Sequence, residues 1–544
     1  MSAGVAWLLA GCGARDSDAP APAPAPATSR VGSALANNQM LSRTLDDEPR
    51  SLDPQLTTDV PSQRVCDDLF EGLTTVDIGG RVAPGVASSW ESSPDGRTWT
   101  FHLRPEARWS NGAPVTAADF VYSFRREIDP HTGAQYAQAL EPVVGGHEIA
   151  LGKAKPETLG VEALDAHTLR IHLVSPTPFL LDLVSQQYLY PVYAPAIERY
   201  GDAWVQAAHH VSNGPFVLRE HVIGTRITLE KNASYWDAAR VHLQRVIYYV
   251  APDRSVQATR FMAGAVQWTD SYAANQHEFL ARRLGDQVIA SPYFGTFMLR
   301  FNMQLPPFKD NRALRQALTL ALDRGPLVHY LRFGLSEPAY TLMPPLPGYV
   351  QALPEWTNLS DEARHALALR LYHQAGYSAA HPLQVELDTS LQGPDERHFL
   401  EGVTASWRAQ LGAEVTVYER EFKVLIQERV LHKLPLFFDA WIGDYPDPNT
   451  FLQLFYTGDG NNNGVYSNPR FDRLIEQSSQ LADNAQRYQL FEQAEGLLND
   501  DASYVPLYYY SARHLVKPYL RGWQSNIMDR NLSRYMYLLA HQGD

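Results

Sequence analysis

The chain has 544 residues, 45% of them hydrophobic and 11% aromatic, which is enough apolar material for two or three domains with their own cores. Its 60 acidic residues outnumber its 46 basic ones, and the formal net charge of −14 argues against nucleic acid as a partner, because phosphate binding needs a basic surface. No apolar run in the sequence reaches the length of a membrane span. The two cysteines, Cys12 and Cys66, cannot build a disulfide framework or a CxxC metal site.

The first residues have the composition of a processed leader. Residues 1–11, MSAGVAWLLAG, are apolar and end in small residues directly before Cys12. This junction resembles the lipobox of bacterial lipoproteins, so we predict a lipoprotein signal over 1–12 with Cys12 as the lipidation site. Residues 13–37 are predicted to be a spacer, because DAPAPAPAPA at 18–27 favours polyproline II and spans roughly 30 Å at ~3.1 Å per residue. A chance apolar N-terminus and a merely disordered tail are the plainer alternatives.

Ordered structure is predicted from about residue 38, with strands and helices that alternate along the chain. Residues 99–103 alternate like a strand, and Thr116 is placed as the N-cap of a helix with Asp119 at its third position. The same patterns predict further strands at 167–174 and 242–250 and helices at 311–323, 396–411 and 484–499. The chain is therefore predicted to be mixed α/β.

The most informative stretch is residues 436–452, LFFDAWIGDYPDPNTFL. An apolar run of strand character leads to Trp441 and then to a single acid, Asp444, before a group of turn-forming residues. A carboxylate beside aromatic rings at the end of a buried strand can hold a small cation. The plainer interpretation is a strand end whose aspartate caps the next turn.

Residues 84–124 resemble the signature segment of the family 5 extracellular solute-binding proteins, which include the oligopeptide-binding proteins of ABC importers. The segment reads PGVASSWESSPDGRTWTFHLRPEARWSNGAPVTAADFVYSF. Further matches cover nearly all of the chain after the spacer and lie at 51–54, 68–73, 213–214, 232–236, 317–324 and 505–510.

The resemblance implies a periplasmic-binding-protein type II fold of class α/β, with two main lobes around a hinge and an additional third domain. Lobe I is expected to be discontinuous, over 38–70, 196–294 and 511–544. The extra domain II is expected at 71–195, and lobe III at 295–510. The two lobes are expected to close on a bound ligand.

The resemblance also implies a binding site for short peptides. Asp444 matches the acid that receives the peptide ammonium, and Arg429 matches a cleft arginine. Backbone pairing with the peptide is implied for Thr58, Asp59 and Val60 on one side and for Ala440 to Ile442 on the other. Aromatic cleft walls are implied at Tyr136, Phe422, Trp441 and Tyr510, although core packing is the plainer role for each ring.

Several positions depart from the family pattern. Phe422 stands where oligopeptide-binding members carry tryptophan, and Phe438 and Leu305 replace two basic positions. Arg300 stands where close relatives have an acid and is considered as a replacement for the lost positive charge. These departures leave open how the peptide C-terminus is held and which peptide length is preferred.

The sequence contains no complete enzymatic motif. His147-Glu148 begins like HExxH but the second histidine is missing, and the EF-hand-like loop from Asp459 has Arg470 at the position that needs an acid. The chain is therefore predicted to be no enzyme and to need no cofactor or metal.

The predicted function is that of a lipid-anchored, monomeric receptor in the periplasm or cell envelope that delivers short peptides to the membrane subunits of an ABC importer. A receptor for dipeptides, murein peptides or a metal chelate is an alternative within the family. A sensory or chaperone-like lipoprotein with the same fold is an alternative from another class.

Overall fold

The computed structural model describes residues 31–390 and 394–541, and it describes only the backbone of residues 394, 395, 422 and 423. The predicted signal over 1–12, including Cys12, and most of the predicted spacer lie outside the described residues. The side chain of Phe422 lies outside them as well.

The strands fall in five sheets. In chain order they are β1 (Val31–Leu35), β2 (Met40–Leu45), β3 (Thr74–Val76), β4 (Val82–Pro84), β5 (Ala87–Ser92), β6 (Thr98–Leu103), β7 (Val161–Asp165), β8 (Thr168–His172), β9 (Phe216–Val222), β10 (Arg226–Lys231), β11 (Arg245–Val250), β12 (Val288–Phe301), β13 (Gln384–Thr389), β14 (Glu414–Glu419), β15 (Leu436–Ile442), β16 (Tyr504–Leu515), β17 (Leu520–Arg521) and β18 (Tyr537–His541).

The α-helices range from single turns to helices of 18 residues. In chain order they are α1 (Val60–Leu69), α2 (Ala117–Ile128), α3 (Gly146–Ala150), α4 (Leu180–Leu183), α5 (Ala194–Tyr200), α6 (Arg254–Met262), α7 (His277–Leu284), α8 (Arg312–Leu320), α9 (Arg324–Leu331), α10 (Asp361–Gln374), α11 (Pro394–Leu411), α12 (Phe422–Val430), α13 (Asn449–Leu452), α14 (Pro469–Ser479) and α15 (Asn484–Asp501).

The sheets divide along the predicted lobes. A four-stranded sheet of order β2-β11-β10-β9 belongs to the predicted lobe I, as do β18 and β17 of a three-stranded sheet of order β1-β18-β17. The antiparallel sheet β5-β6-β8-β7 and helix α2 form the middle of the predicted domain II. The five-stranded sheet β14-β13-β15-β12-β16 is the frame of the predicted lobe III.

Two long antiparallel strands, β12 and β16, run from the predicted lobe I into the predicted lobe III, or back. They pair along most of their length, but the register is broken between Pro292 and Thr296. The expected domain boundaries at 294/295 and 510/511 both fall inside these strands, so in the predicted division they connect lobe I to lobe III.

A strand and a helix start that were predicted from local sequence signals are confirmed. The predicted strand at 99–103 is β6, and Thr116 is the N-cap of α2, where its main-chain N–H donates to Asp119 Oδ2 over 2.7 Å. The predicted helix at 311–323 is shorter than expected: it ends at Leu320, and α9 begins at Arg324.

Ordered structure begins earlier than the sequence indicated. Strand β1 lies inside the stretch assigned to the spacer, because Val31 pairs antiparallel with His541 at the far end of the chain. Such a partner cannot be read from local composition. No helix among residues 31–390 and 394–541 is long and apolar enough to cross a membrane.

Candidate functional site

A cavity of about 260 Å³ lies where the three predicted domains meet. Its walls are the segment before α1, the segment around α4, the end of β15 and two tyrosines on the crossing strands. Of the residues predicted to bind ligand, those that line it are Thr58, Asp59, Val60, Tyr136, Ala440, Trp441, Ile442, Asp444 and Tyr510.

Asp444 follows the last residues of β15 and is held by a hydroxyl. Thr450 Oγ1 accepts the main-chain N–H of Asp444 over 3.2 Å and donates to Asp444 Oδ2 over 3.3 Å. The same oxygen accepts the indole N–H of Trp441 over 3.2 Å. In the turn that follows, it is Asp447 that accepts a main-chain N–H, from Asn449 over 2.9 Å. The capping role considered for Asp444 thus belongs to Asp447.

The Asp444 carboxylate has no charged partner among the described residues. Burial raises its pKa to about 6, and the hydrogen bond from Thr450 offsets only part of that rise. A carboxylate that is taken out of water without a cation beside it stabilises any cation that enters the cavity.

Two backbone segments face the cavity in extended conformation. Strand β13 pairs with β15 only at Asp388 and Phe437, so the later residues of β15 have β12 on one side and the cavity on the other. Opposite them, Asp59 has φ −123° and ψ 151°. Its carboxylate accepts from the N–H and the hydroxyl of Ser62, both over 2.8 Å, so this side chain caps α1 and leaves the main chain as the group available to a ligand.

Stacked aromatic rings form the remaining walls. Tyr136 stacks on Tyr188 with ring centroids 4.6 Å apart and an interplanar angle of 9°. Tyr510 stacks on Phe297 at 4.0 Å, and Tyr293 meets the edge of Tyr510 at 6.0 Å. The stacking holds these rings in place before any ligand binds, which lowers the entropic cost of contact.

Arg429 lies outside this cavity. It lines a neighbouring one of about 410 Å³ that shares Ala440, Trp441 and Tyr510 with the first, and its guanidinium donates to Asp439 over 2.7 Å. Arg300, which was considered as a replacement for the lost positive charge, lines neither cavity. Its guanidinium donates to the main-chain oxygens of Leu454 and Asn461, over 2.9 and 3.2 Å.

The sequence did not single out the cavity wall at residues 182–188. Asp182, Ser185, Gln186, Gln187 and Tyr188 all line the cavity, as do Tyr293 and Arg530. Because LLDLVSQQYLYPV from Leu180 onward is mostly apolar, it resembles core, and its few polar residues have no motif that marks them as a site. No group of three or more metal-ligating side chains occurs in the part of the chain that the structure describes.

Comparison with known proteins identifies the family. The model of the bacterial extracellular solute-binding proteins, family 5 middle region, matches residues 81–463. The periplasmic oligopeptide-binding protein OppA of Escherichia coli K12 is 36% identical over 518 residues, which are 94% of this chain and 94% of that protein.

Solved structures agree with this assignment. The Escherichia coli murein tripeptide-binding protein MppA has a TM-score of 0.84 and 34% identity, with 93% of this chain and 100% of that chain covered. Haemophilus influenzae OppA in complex with RPPGFSPFR has a TM-score of 0.82 and 32% identity at the same coverage, 93% and 100%.

The predicted type II fold with its additional domain is therefore confirmed. Members of this family bind solutes and are not enzymes, which confirms the prediction that the chain has no catalytic activity. The chain belongs to family 5 of the bacterial extracellular solute-binding proteins.

Proposed function

We propose that this protein is an extracytoplasmic receptor that binds short peptides at Asp444 and delivers them to an ABC-type importer. The observation that carries the proposal is the unpaired carboxylate of Asp444 in an aromatic cavity beside the open edge of β15. The relatives named for oligopeptides and murein tripeptide support it.

The ligand is placed by three kinds of contact. Its ammonium pairs with Asp444, since a charge-assisted bond in a desolvated site stabilises by about 1.5–3 kcal/mol. Its backbone adds as a strand between residues 58–60 and residues 440–442. Its carboxylate points to Arg429 in the adjoining cavity, the one arginine among the described residues that line it, although Asp439 already pairs with that guanidinium.

Calorimetry with tri- to pentapeptides and their N-acetylated counterparts tests the assignment of Asp444. We expect acetylation to weaken binding by about 10- to 100-fold, because it removes the cation. Amidation of the peptide C-terminus is the matched modification, because it removes the carboxylate instead of the ammonium. Any loss of affinity that it causes should depend on Arg429. Equal binding of free and acetylated peptides would contradict the role of Asp444, and no binding of any peptide would favour the sensory or chaperone-like alternative.

The lobes are proposed as 38–70, 196–294 and 511–544 for lobe I, 71–195 for domain II and 295–510 for lobe III, with closure about β12 and β16. The register break at residues 292–296 supports a hinge there. A stack of Phe179 on Tyr445, with centroids 4.5 Å apart, joins domain II to lobe III across the site. Small-angle scattering should show compaction when a saturating peptide is added, and identical curves would contradict closure.

Membrane attachment is proposed through acylated Cys12, with the segment 13–30 as a stand-off from the membrane surface. Mass spectrometry of the protein from membranes should find an acylated cysteine. The variant Cys12→Ala should leave the membrane fraction, and unchanged fractionation would contradict the anchor.

A further inference from the structure

Besides Asp444 and Asp59, whose carboxylate caps α1, the cavity is lined by a third aspartate, Asp182. Asp182 lies in the single-turn helix α4 of the proposed domain II and lines the cavity. Its main-chain oxygen accepts from Ser185 Oγ over 2.7 Å. No side chain of the described residues donates to its carboxylate or forms an ion pair with it.

The charged groups near Asp182 have other partners. Arg530 lines the same cavity, but its guanidinium makes two bonds to Asp67, over 2.8 and 3.0 Å, and one to the main-chain oxygen of Ser185 over 2.7 Å. Asp447 makes two bonds to Arg487, over 2.8 and 3.0 Å. Each of these pairs is neutral as a unit, so the charge of Asp182 is left without a counterion.

The electrostatics of Asp182 agree with its geometry. Burial, followed by the charge of Asp447, raises its pKa to about 6, and Arg530 offsets only part of the rise. Asp444 does not contribute to this shift, nor Asp182 to that of Asp444. The two carboxylates therefore act as separate charges on two walls of one cavity.

A second group on the same wall also has no partner. Gln187 lines the cavity, is only 5% exposed, and its Oε1 has no hydrogen-bond partner among the described residues. A buried acceptor without a donor costs free energy that a ligand donor can recover. Asp182 and Gln187 thus present two acceptors, one of them anionic, and no side chain of the described residues donates to either.

We propose that Asp182 and Gln187 form a second cation subsite, which holds the ammonium or guanidinium of a lysine or arginine side chain of the bound peptide. This inference rests on the proposed function, because the peptide is positioned by its own N-terminus at Asp444. It makes the protein a receptor selective for basic peptides: a neutral side chain leaves Asp182 desolvated and unpaired when the lobes close, whereas a cationic one pairs with it.

The test compares cationic side chains with neutral ones of similar length. Tri-alanine peptides with lysine at the first, second or third position are titrated calorimetrically against the same peptides with norleucine. The proteins are the wild type, Asp182→Asn and, as matched control, Glu141→Gln. Glu141 belongs to the same proposed domain and carries the same charge, but its side chain is 45% exposed and does not line this cavity.

We expect the wild type to prefer lysine over norleucine by about 10- to 100-fold at one of the three positions, the range of a charge-assisted bond. Asp182→Asn should abolish that preference and bind the norleucine peptide at least as tightly as the wild type, because it removes the unpaired charge, and this binding also shows that the variant is folded. Glu141→Gln should keep the preference.

The contrary outcomes separate the two proposals. Peptides that bind without a preference for lysine, or a preference that survives in Asp182→Asn, would overturn the subsite and leave the peptide receptor standing. Failure of every peptide to bind the wild type would overturn both.

Discussion

Asp444, which is half-buried, and Asp529, which is buried, are two aspartates in opposite surroundings. The carboxylate of Asp529 accepts from Arg64 over 2.6 Å and is 2.7 Å from His514 Nε2. Burial alone would raise its pKa, but His514 and Arg64 together hold it well below the usual range. Among the described residues, Thr450 is the one whose side chain donates to Asp444, and burial holds the pKa of Asp444 above the usual range.

The contrast shows that burial of an acid does not by itself mark a binding site. Asp529 belongs to a network that continues through Arg64 to Asp270, 2.6 Å away, and so stabilises the packing of the proposed lobe I. Asp444 is a charge that the fold leaves uncompensated in a cavity, where an incoming cation can compensate it. The missing partner is what distinguishes the candidate site.

The largest expected effect comes from breaking the paired aspartate. Asp529→Asn leaves Arg64 and Arg43 to share Asp270 in the protein interior, and we expect a loss of about 3–5 kcal/mol in the free energy of unfolding of that lobe. Urea denaturation followed by tryptophan fluorescence measures it.

The control for this loss is an exposed ion pair on α7. Glu278 pairs with Arg282 over 2.9 Å, and its side chain is 82% exposed, so Glu278→Gln should cost under ~1 kcal/mol. Equal unfolding midpoints for the two variants would contradict the stabilising role assigned to Asp529.

The next effect comes from removing the unpaired aspartate. Asp444→Asn should weaken peptide binding by about 10- to 100-fold and leave the unfolding midpoint unchanged or slightly higher, because the carboxylate has no partner to lose. Calorimetry and urea denaturation on the same preparation measure both quantities. A loss of stability comparable to that of Asp529→Asn would show that Asp444 is structural.

The two aspartates also predict opposite dependences on pH. Asp444 is protonated below about 6 and then cannot pair with an ammonium, so peptide affinity should fall as the pH drops through about 6. Because its folded pKa lies above the unfolded value, this group adds stability as the pH falls from about 6 towards 3.8. The folded pKa of Asp529 is lowered, so its contribution is present above the unfolded value and is lost as the pH falls below it.

Calorimetry from about pH 5 to 8 with a peptide of alanines alone checks this, since Asp182 also titrates near 6 and affects basic peptides. Asp444→Asn is the matched control and should not show the fall in affinity as the pH drops through about 6. A wild-type affinity that does not change between neutral pH and pH 5 would contradict the prediction.

Interactions between residues that are close along the chain could be predicted from the sequence, whereas interactions between distant residues could not. The capping box of Thr116 and Asp119 joins neighbours, and Asp444 with Trp441 lies in one continuous segment, so both could be identified. Arg530 and Asp67 are 463 positions apart, and β1 pairs with the last strand of the chain. The wall at Asp182 and Gln187 was missed because its significance depends on which charges are already paired, and only the folded chain shows that.

The smallest expected effect tests how Asp444 is held. Thr450→Val keeps the shape of the side chain but removes the oxygen that joins Trp441 Nε1 to both the main chain and the carboxylate of Asp444. Since a neutral hydrogen bond contributes about 0.5–1.5 kcal/mol, peptide affinity should fall roughly 2- to 10-fold, less than in Asp444→Asn. The hydroxyl also lowers the pKa of Asp444, so its loss should move the midpoint of the affinity–pH curve upward. Thr450→Ser keeps the oxygen and should preserve both affinity and midpoint. A change in affinity without a change in midpoint would mean that Thr450 positions Trp441 and that burial alone sets the pKa of Asp444.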